Sequence, residues 1–286
     1  MRAQTLPRAL VAAICLGIPS TAALGQAASS SAYSVSANET VTTGGVVTAT
    51  VNVSPVAPAS GSAPPPYNNT NSVASLNQSA NLTTGVLGVT QGVQTALLTN
   101  NANGTATGAE ATSTINGLTF GLGTGGLVSS LLGLGATTIQ SYSQANSVAG
   151  LDASGSTTIE GLTLSGALLG GLTVDGSLFV NPAPNTVLLN IAGLSIILNE
   201  QTMLGDGTTD LGISTNAIDI AFNNFPLGAS IANGDIILGH SEAFASVGEA
   251  AAVPEPSTWG MMMIGFAAIG LALQRRKNKL PILQLA

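Results

Sequence analysis

Apolar and polar positions alternate through much of this chain at the two-residue period of half-buried strands. The clearest case is Val41-Thr42-Thr43-Gly44-Gly45-Val46-Val47-Thr48-Ala49-Thr50-Val51-Asn52-Val53, whose β-branched residues flank a Gly-Gly pair and predict a hairpin. Shorter runs predict strands at Thr112 to Phe120, Ser156 to Leu164, Leu172 to Val180, Thr186 to Leu198, Ala217 to Phe222 and Asp235 to Leu238. Gly, Asn, Asp and Pro separate them, as turns require. Leu122 to Leu134 is apolar but broken by Gly123, Gly125, Gly126 and Gly133, each costing a helix about 1 kcal/mol relative to alanine, so it is a weak helix candidate. Residues 54–66 are proline-rich and read as a loop or linker.

A short unit recurs. Ser113-Thr114-Ile115-Asn116-Gly117-Leu118-Thr119-Phe120 matches Thr157-Thr158-Ile159-Glu160-Gly161-Leu162-Thr163-Leu164, with an echo at Ile191-Ala192-Gly193-Leu194-Ser195-Ile196. The spacing is unequal, unlike the fixed period of a solenoid. Glycine in the middle of each unit fits strands that kink or bulge there. The expected fold is mainly β: an antiparallel β-sandwich-like domain over residues 28–250, with a β-helix as the alternative, and one C-terminal transmembrane helix.

Charge placement defines the ends. All six Lys and Arg residues lie at the termini (Arg2, Arg8, Arg275, Arg276, Lys277 and Lys279), while the thirteen carboxylates lie between Ala9 and Gln274. Basic residues flanking apolar segments stay cytoplasmic, so the intervening chain reads as translocated. Met1 to Arg8, followed by the short apolar run Ala9 to Gly17 and then Pro19 and small residues, has the form of a secretory signal peptide over residues 1–27, cleaved after Gly25 or Ala27. Cys15 falls inside that apolar run behind Ile14, which is not the small residue a lipoprotein site requires, and its removal leaves a mature chain without thiol chemistry.

At the other end, Trp259 to Leu273 is uncharged and is followed at once by Arg275-Arg276-Lys277, the form of a stop-transfer segment. As a helix its fifteen residues span roughly 22 Å, against the roughly 30 Å hydrocarbon core of a bilayer. Pro254 and Pro256 hold the approach extended. Together, Val253-Pro254-Glu255-Pro256-Ser257-Thr258-Trp259, the apolar helix at 259–274 and the basic cluster resemble the PEP-CTERM sorting signal of Gram-negative bacteria, here over 253–279. That resemblance implies an inner-membrane precursor that an exosortase cuts near the Pro-Glu-Pro box, and a setting of exopolysaccharide and biofilm. Residues 280–286 form a cytoplasmic tail, longer than the family's usual stop.

The intervening domain carries a second resemblance. Ala63-Pro64-Pro65-Pro66-Tyr67-Asn68-Asn69-Thr70, Gly155-Ser156-Thr157-Thr158-Ile159-Glu160-Gly161-Leu162-Thr163, Asn181-Pro182-Ala183-Pro184-Asn185-Thr186 and Leu198-Asn199-Glu200-Gln201 occur in this order. They resemble the choice-of-anchor P family over about residues 31–247, a secreted domain with differing anchors and no implied activity.

Candidate chemistry is sparse. His240 is the sole histidine and the one base a Ser–His–acid hydrolase could use, although Gly-x-Ser-x-Gly is absent. One histidine and no mature cysteine disfavour zinc. Asp206-Gly207-Thr208-Thr209-Asp210 could offer oxygens to calcium but lacks EF-hand spacing, and reads more simply as a polar turn. Glu110, Glu160 and Glu200 are the acids a glycosidase pair would draw on. Nucleic acid is excluded as a partner, since the mature domain has no Lys or Arg to meet phosphates. Asn-x-Ser/Thr triplets such as those at Asn68 and Asn103 follow from composition. Thr105-x-Thr107 and Thr112-x-Thr114 have the spacing of one strand face, as an ice- or polysaccharide-binding adhesin would use.

The expected function is a non-enzymatic, exosortase-processed surface or matrix protein with no cofactor. Its partners are the translocon, signal peptidase, exosortase and exopolysaccharide. An envelope hydrolase acting through His240 is the rival.

Overall fold

The computed structural model describes residues 27–84, 87–124, 130–170, 174–227, 230–247 and 256–277. The chain divides into two units. One, Gln26–Gly248, holds every described strand; the other contains the single described α-helix, α1 (Pro256–Lys277). The expected signal peptide at 1–27 and the expected tail at 280–286 lie outside the described residues, apart from Ala27.

The β unit is two antiparallel sheets packed face to face, as expected for a sandwich; its ladders are antiparallel throughout the described residues, unlike the parallel coils of a β-helix. The first sheet runs β12 (Thr186–Ile191), β13 (Leu194–Leu204), β14 (Asp210–Leu227), β15 (Ser230–Ser246), β1 (Ala28–Thr43), β2 (Val46–Val53), with β3 (Ala59–Ala63) also on β1. The second runs β10 (Asp152–Glu160), β9 (Leu132–Asn146), β8 (Gly108–Thr124), β6 (Leu87–Thr95), β5 (Leu76–Thr84). In that sheet β11 (Thr163–Ser165) joins β9, β7 (Leu98–Thr105) joins β8, and β4 (Tyr67–Val73) joins β7.

Five strands of 15 to 18 residues carry the architecture, several times the usual five or six. Each changes neighbours or facing half-way along. β1 pairs β3 through Ala28–Ala32 and β2 through Ala37–Thr43. β8 pairs β7 up to Ile115 and β6 from Thr119. β9 pairs β10 on one side of Thr137 and β11 on the other. In the first sheet the inward phase slips at the same level on neighbouring strands, at Ser34/Val35, Leu198/Asn199 and Ala217/Ile218. Gly239 (φ +74°) and Asn199 (φ +51°) take left-handed backbone there. A one-residue slip moves every later side chain to the other face. The long strands therefore cross two floors.

The floors have different cores. On one, Leu194, Ile196, Leu198, Ile218, Ile220, Ile236 and Leu238 meet Ile115, Phe120, Leu132 and Leu134. On the other, Ala28, Ala109, Ala145, Ala243 and Ala245 pack beside buried serines. There Ser143 Oγ lies 2.9 Å from Ser241 O, 3.0 Å from Ser241 Oγ and 2.9 Å from Thr215 Oγ1, joining the sheets. A serine hydroxyl that reaches the opposing main chain requires sheets closer than the usual 10 Å. Small residues allow that approach, and the three hydroxyls hydrogen-bond to one another. At the junction, fully buried Asn100 donates from Nδ2 to Ser34 Oγ (2.8 Å) and to Ala57 O (2.8 Å).

The Gly44-Gly45 hairpin forms as expected, with both glycines at positive φ. Three expectations are corrected. The proline-rich 54–66 is not a plain linker, because Ala59–Ala63 forms β3 and buries Ala59 and Ala63 against β1. Leu172 to Val180 is not a strand where described. Asp175 accepts from Ser177 N (3.0 Å) and Ser177 Oγ (2.7 Å) and caps a 3-10 turn at Gly176–Phe179, the local competition that favours Asp and Ser at caps. Leu122 to Leu134 contributes the end of β8 and the start of β9 rather than helix, with residues 125–129 outside the described set.

Candidate functional site

The sorting segment begins outside the described residues, at Val253, Pro254 and Glu255. Pro256 opens α1, a position that suits proline because the first helical N–H has no acceptor. Ser257, Thr258 and Trp259 follow in the first turns, and Arg275, Arg276 and Lys277 form the last. Described side chains from Met262 to Leu271 are exposed, among them Met263, Ile264, Phe266 and Leu271 at 61% or more. A helix that is apolar on all faces needs an apolar surrounding.

The expected transmembrane helix at 259–274 is not met as such: among the described residues no helix is long and apolar enough to cross a membrane. The reason is length. α1 has 22 residues, but its apolar run covers only Trp259 to Leu273, with Pro256, Ser257 and Thr258 before it and Gln274 and the basic cluster after it.

His240 lies in β15 at the junction between floors, on the outer side of the first sheet. Four cross-strand neighbours form a row there: Tyr33, His240, Asn216 and Glu200. The Tyr33 ring stacks on the imidazole at 4.4 Å and 17°. His240 Nδ1 is 2.7 Å from Asn216 Oδ1, and Asn216 Nδ2 donates to Glu200 Oε2 at 2.8 Å. The acceptor oxygen makes Nδ1 the protonated nitrogen. Burial pushes the His240 pKa down to about 4, so the ring is neutral at pH 7. Among the described residues no serine or threonine hydroxyl bonds to the ring, so no nucleophile–base pair is assembled at His240.

The glycosidase candidates are separated: Glu110 lies opposite Gln144 and Glu160 opposite Thr138 on the two sides of β9, and Glu200 belongs to the first sheet. Glu200 instead lies against Asp219 of β14. Burial, then the Glu200 and Asp235 charges, push Asp219 up to about 7, and its Oδ1 is buried with no partner. Sequence reading missed this carboxyl pair, because only the β13–β14 register brings together residues 19 positions apart.

The Asp206–Asp210 segment is the turn between β13 and β14. Asp206 Oδ1 accepts from Thr208 N (2.7 Å) and Thr209 N (2.8 Å), and Asp210 Oδ1 accepts from Asp206 N (2.8 Å). These bonds hold the Asp206 pKa far below the usual carboxylate range. The carboxylates are thus turned onto their own backbone, and among the described residues no cluster of three or more His, Cys, Asp or Glu could hold a metal. Of the threonine pairs, Thr112 and Thr114 do share one face of β8, whereas Thr107 lies in the turn after β7, so Thr105 and Thr107 do not.

The model of the PEP-CTERM protein-sorting motif matches residues 252–277. No curated protein matches the chain. The matched span covers the Pro-Glu-Pro box, all of α1 and the basic cluster, and supports this chain as an exosortase substrate, exported and held at the membrane before processing.

Proposed function

We propose that this is an exported surface or extracellular-matrix protein without catalytic activity, whose C-terminal segment is removed by an exosortase. The sorting-motif match at 252–277 carries the reading. A signal peptide over 1–27 directs the chain to the translocon and is cut by signal peptidase. The apolar part of α1 then holds the precursor in the inner membrane, its short length met by local thinning and by Arg275, Arg276 and Lys277 reaching the interface. Cleavage near Pro254-Glu255-Pro256 frees the β unit to the cell surface or beyond, where it associates with exopolysaccharide in a biofilm. The resemblance of residues 31–247 to choice-of-anchor P fits a cargo defined by its anchor rather than by an active site.

The test is intact mass and fractionation of the protein from its host, with and without the exosortase. A product ending near residues 253–257 and lying outside the inner membrane, seen only when the exosortase is present, is expected. A full-length C-terminus in the inner membrane of both strains would overturn the reading.

A further inference from the structure

The outer side of the second sheet carries a cleft of about 430 Å³, within the range of small-ligand sites. Its wall is one cross-strand row, Asn68 of β4, Asn103 of β7, Glu110 of β8 and Gln144 of β9. The next row places Gly108 between Thr105 and Asn146, and all three line the cleft.

The wall mixes hydrogen-bond donors and acceptors. Gln144 Oε1 is taken by Tyr142 Oη at 2.9 Å, and Asn68 Oδ1 accepts from Asn101 Nδ2 at 3.3 Å. With both amide oxygens engaged, the NH2 groups of Asn68 and Gln144 are left as donors. Asn103 is turned the other way, its Nδ2 donating to Asn101 Oδ1 at 3.3 Å and its Oδ1 left as an acceptor. Glu110 adds a second acceptor beside it. Donor, acceptor, acceptor, donor across four strands suits a ligand whose own groups both give and take, as vicinal hydroxyls do.

Charge narrows the class. The β unit has no Lys or Arg, and the cleft holds one carboxylate, so an anionic chain meets repulsion and no counter-charge. A lone carboxylate among amides is equally a poor seat for a metal ion or a polycation. A peptide strand would seek a sheet edge rather than a face. The polar face continues past the cleft through Asn101, Thr112 and Tyr142, which gives a long chain somewhere to run.

We infer that this cleft binds a neutral polysaccharide, gripping one or two sugar residues through Asn68, Asn103, Glu110 and Gln144. The inference deepens the matrix reading above and rests on it for its setting. The test is affinity electrophoresis of the full chain through gels containing dextran, mannan or soluble cellulose derivatives without charge, with alginate and chitosan as anionic and cationic comparisons. At least one neutral glycan should retard the protein, alginate should not, and N103A/Q144A should weaken retardation at least tenfold with its melting temperature unchanged. Titration of the unaltered protein with the retarding glycan should shift the side-chain amide resonances of Asn103 and Gln144, a readout independent of how the variant folds. Retardation by alginate or chitosan alone, by no glycan, equal retardation of the double variant, or amide shifts confined to other residues would each overturn the site. Exosortase processing is measured separately, so a failure of the cleft and a failure of the sorting reading are distinguishable.

Discussion

Gly117 and Gly161 occupy one level of the second sheet, on opposite sides of Thr137 in β9. Both have left-handed backbone, φ +64° and φ +63°. They are the central glycines of the recurring Ile-x-Gly-Leu-Thr unit, so the repeat marks a line across the sheet rather than a repeated domain. Along it, β8 exchanges β7 for β6, and β10 gives way to β11.

A side chain at either position is strained by φ alone, at a cost of roughly 1–2 kcal/mol. At Gly161 a Cβ would also overlap the Thr137 hydroxyl, which donates to Glu160 O at 3.0 Å. Gly161→Ala should therefore destabilise the β unit by about 2 kcal/mol or more. Thr137→Ala in the same chain should recover part of that loss but not the backbone share. A double-mutant cycle by chemical denaturation checks this; additive costs would show that Thr137 and Gly161 do not interact.

Glu39 gives a pH dependence of known sign. Its side chain is buried beside Val41, Leu122 and Phe222, one carboxyl oxygen has no partner, and burial pushes its pKa up to about 7. The folded state holds this proton more tightly than the unfolded chain does. The stability from Glu39 is thus full below about pH 4.5 and is lost as pH rises through 7. Glu39→Gln should be nearly neutral at pH 4.5 and stabilising at pH 8, by on the order of 3 kcal/mol at most. Melting temperatures at the two pH values decide it.

His240 works in the opposite direction. Its folded pKa of about 4 lies below the ordinary 6.5, so the unfolded chain takes up the proton first. Its contribution is full above pH 6.5 and is lost as pH falls toward 4. His240→Phe keeps a ring beside Tyr33 but loses the bond to Asn216, and should cost about 1 kcal/mol at pH 7.5. The gap between variant and parent should narrow at pH 4.5. A gap that widens on acidification would contradict the neutral buried imidazole.

The mature N-terminus should begin at Gln26. Ala27 O accepts from Ser246 N at 2.8 Å and Ser246 Oγ at 3.1 Å, and Ala27 N donates to Ser246 Oγ at 3.2 Å. Cleavage after Gly25 keeps these bonds, while cleavage after Ala27 removes them and uncovers the end of β15. The N-terminal peptide mass of the exported protein distinguishes the two sites.

Local pattern was enough for the hairpin at Gly44-Gly45, because two positive-φ residues between alternating β-branched runs have few other uses. It was enough for the segments Thr112 to Phe120 and Ala217 to Phe222, whose Ile, Leu and Phe face the larger core. It failed for β3, β4 and β7, which apart from Tyr67, Val73 and Leu98 are built of Ala, Ser, Thr, Asn and Gly and show no sustained apolar alternation to read. Beyond Leu98 their buried positions are Ala59, Ala63, Asn100, Ala102 and Gly104, small or polar residues that give no hydrophobic signal. It failed as well for the full length of β1, β14 and β15, where the slip at the junction breaks the period in mid-strand.

The sequence by itself determined the C-terminal sorting motif of this protein and the β character of its middle. A sorting motif is read from consecutive residues, so box, apolar run and basic cluster are complete without a fold. β-rich composition likewise follows from residue type. Only the tertiary structure decided which polar residues meet. Glu200 and Asp219, or Asn68, Asn103, Glu110 and Gln144, are brought together by strand register alone. Register is set by the packing of two sheets over a two-part core, an interaction between residues far apart in the chain that no local pattern encodes.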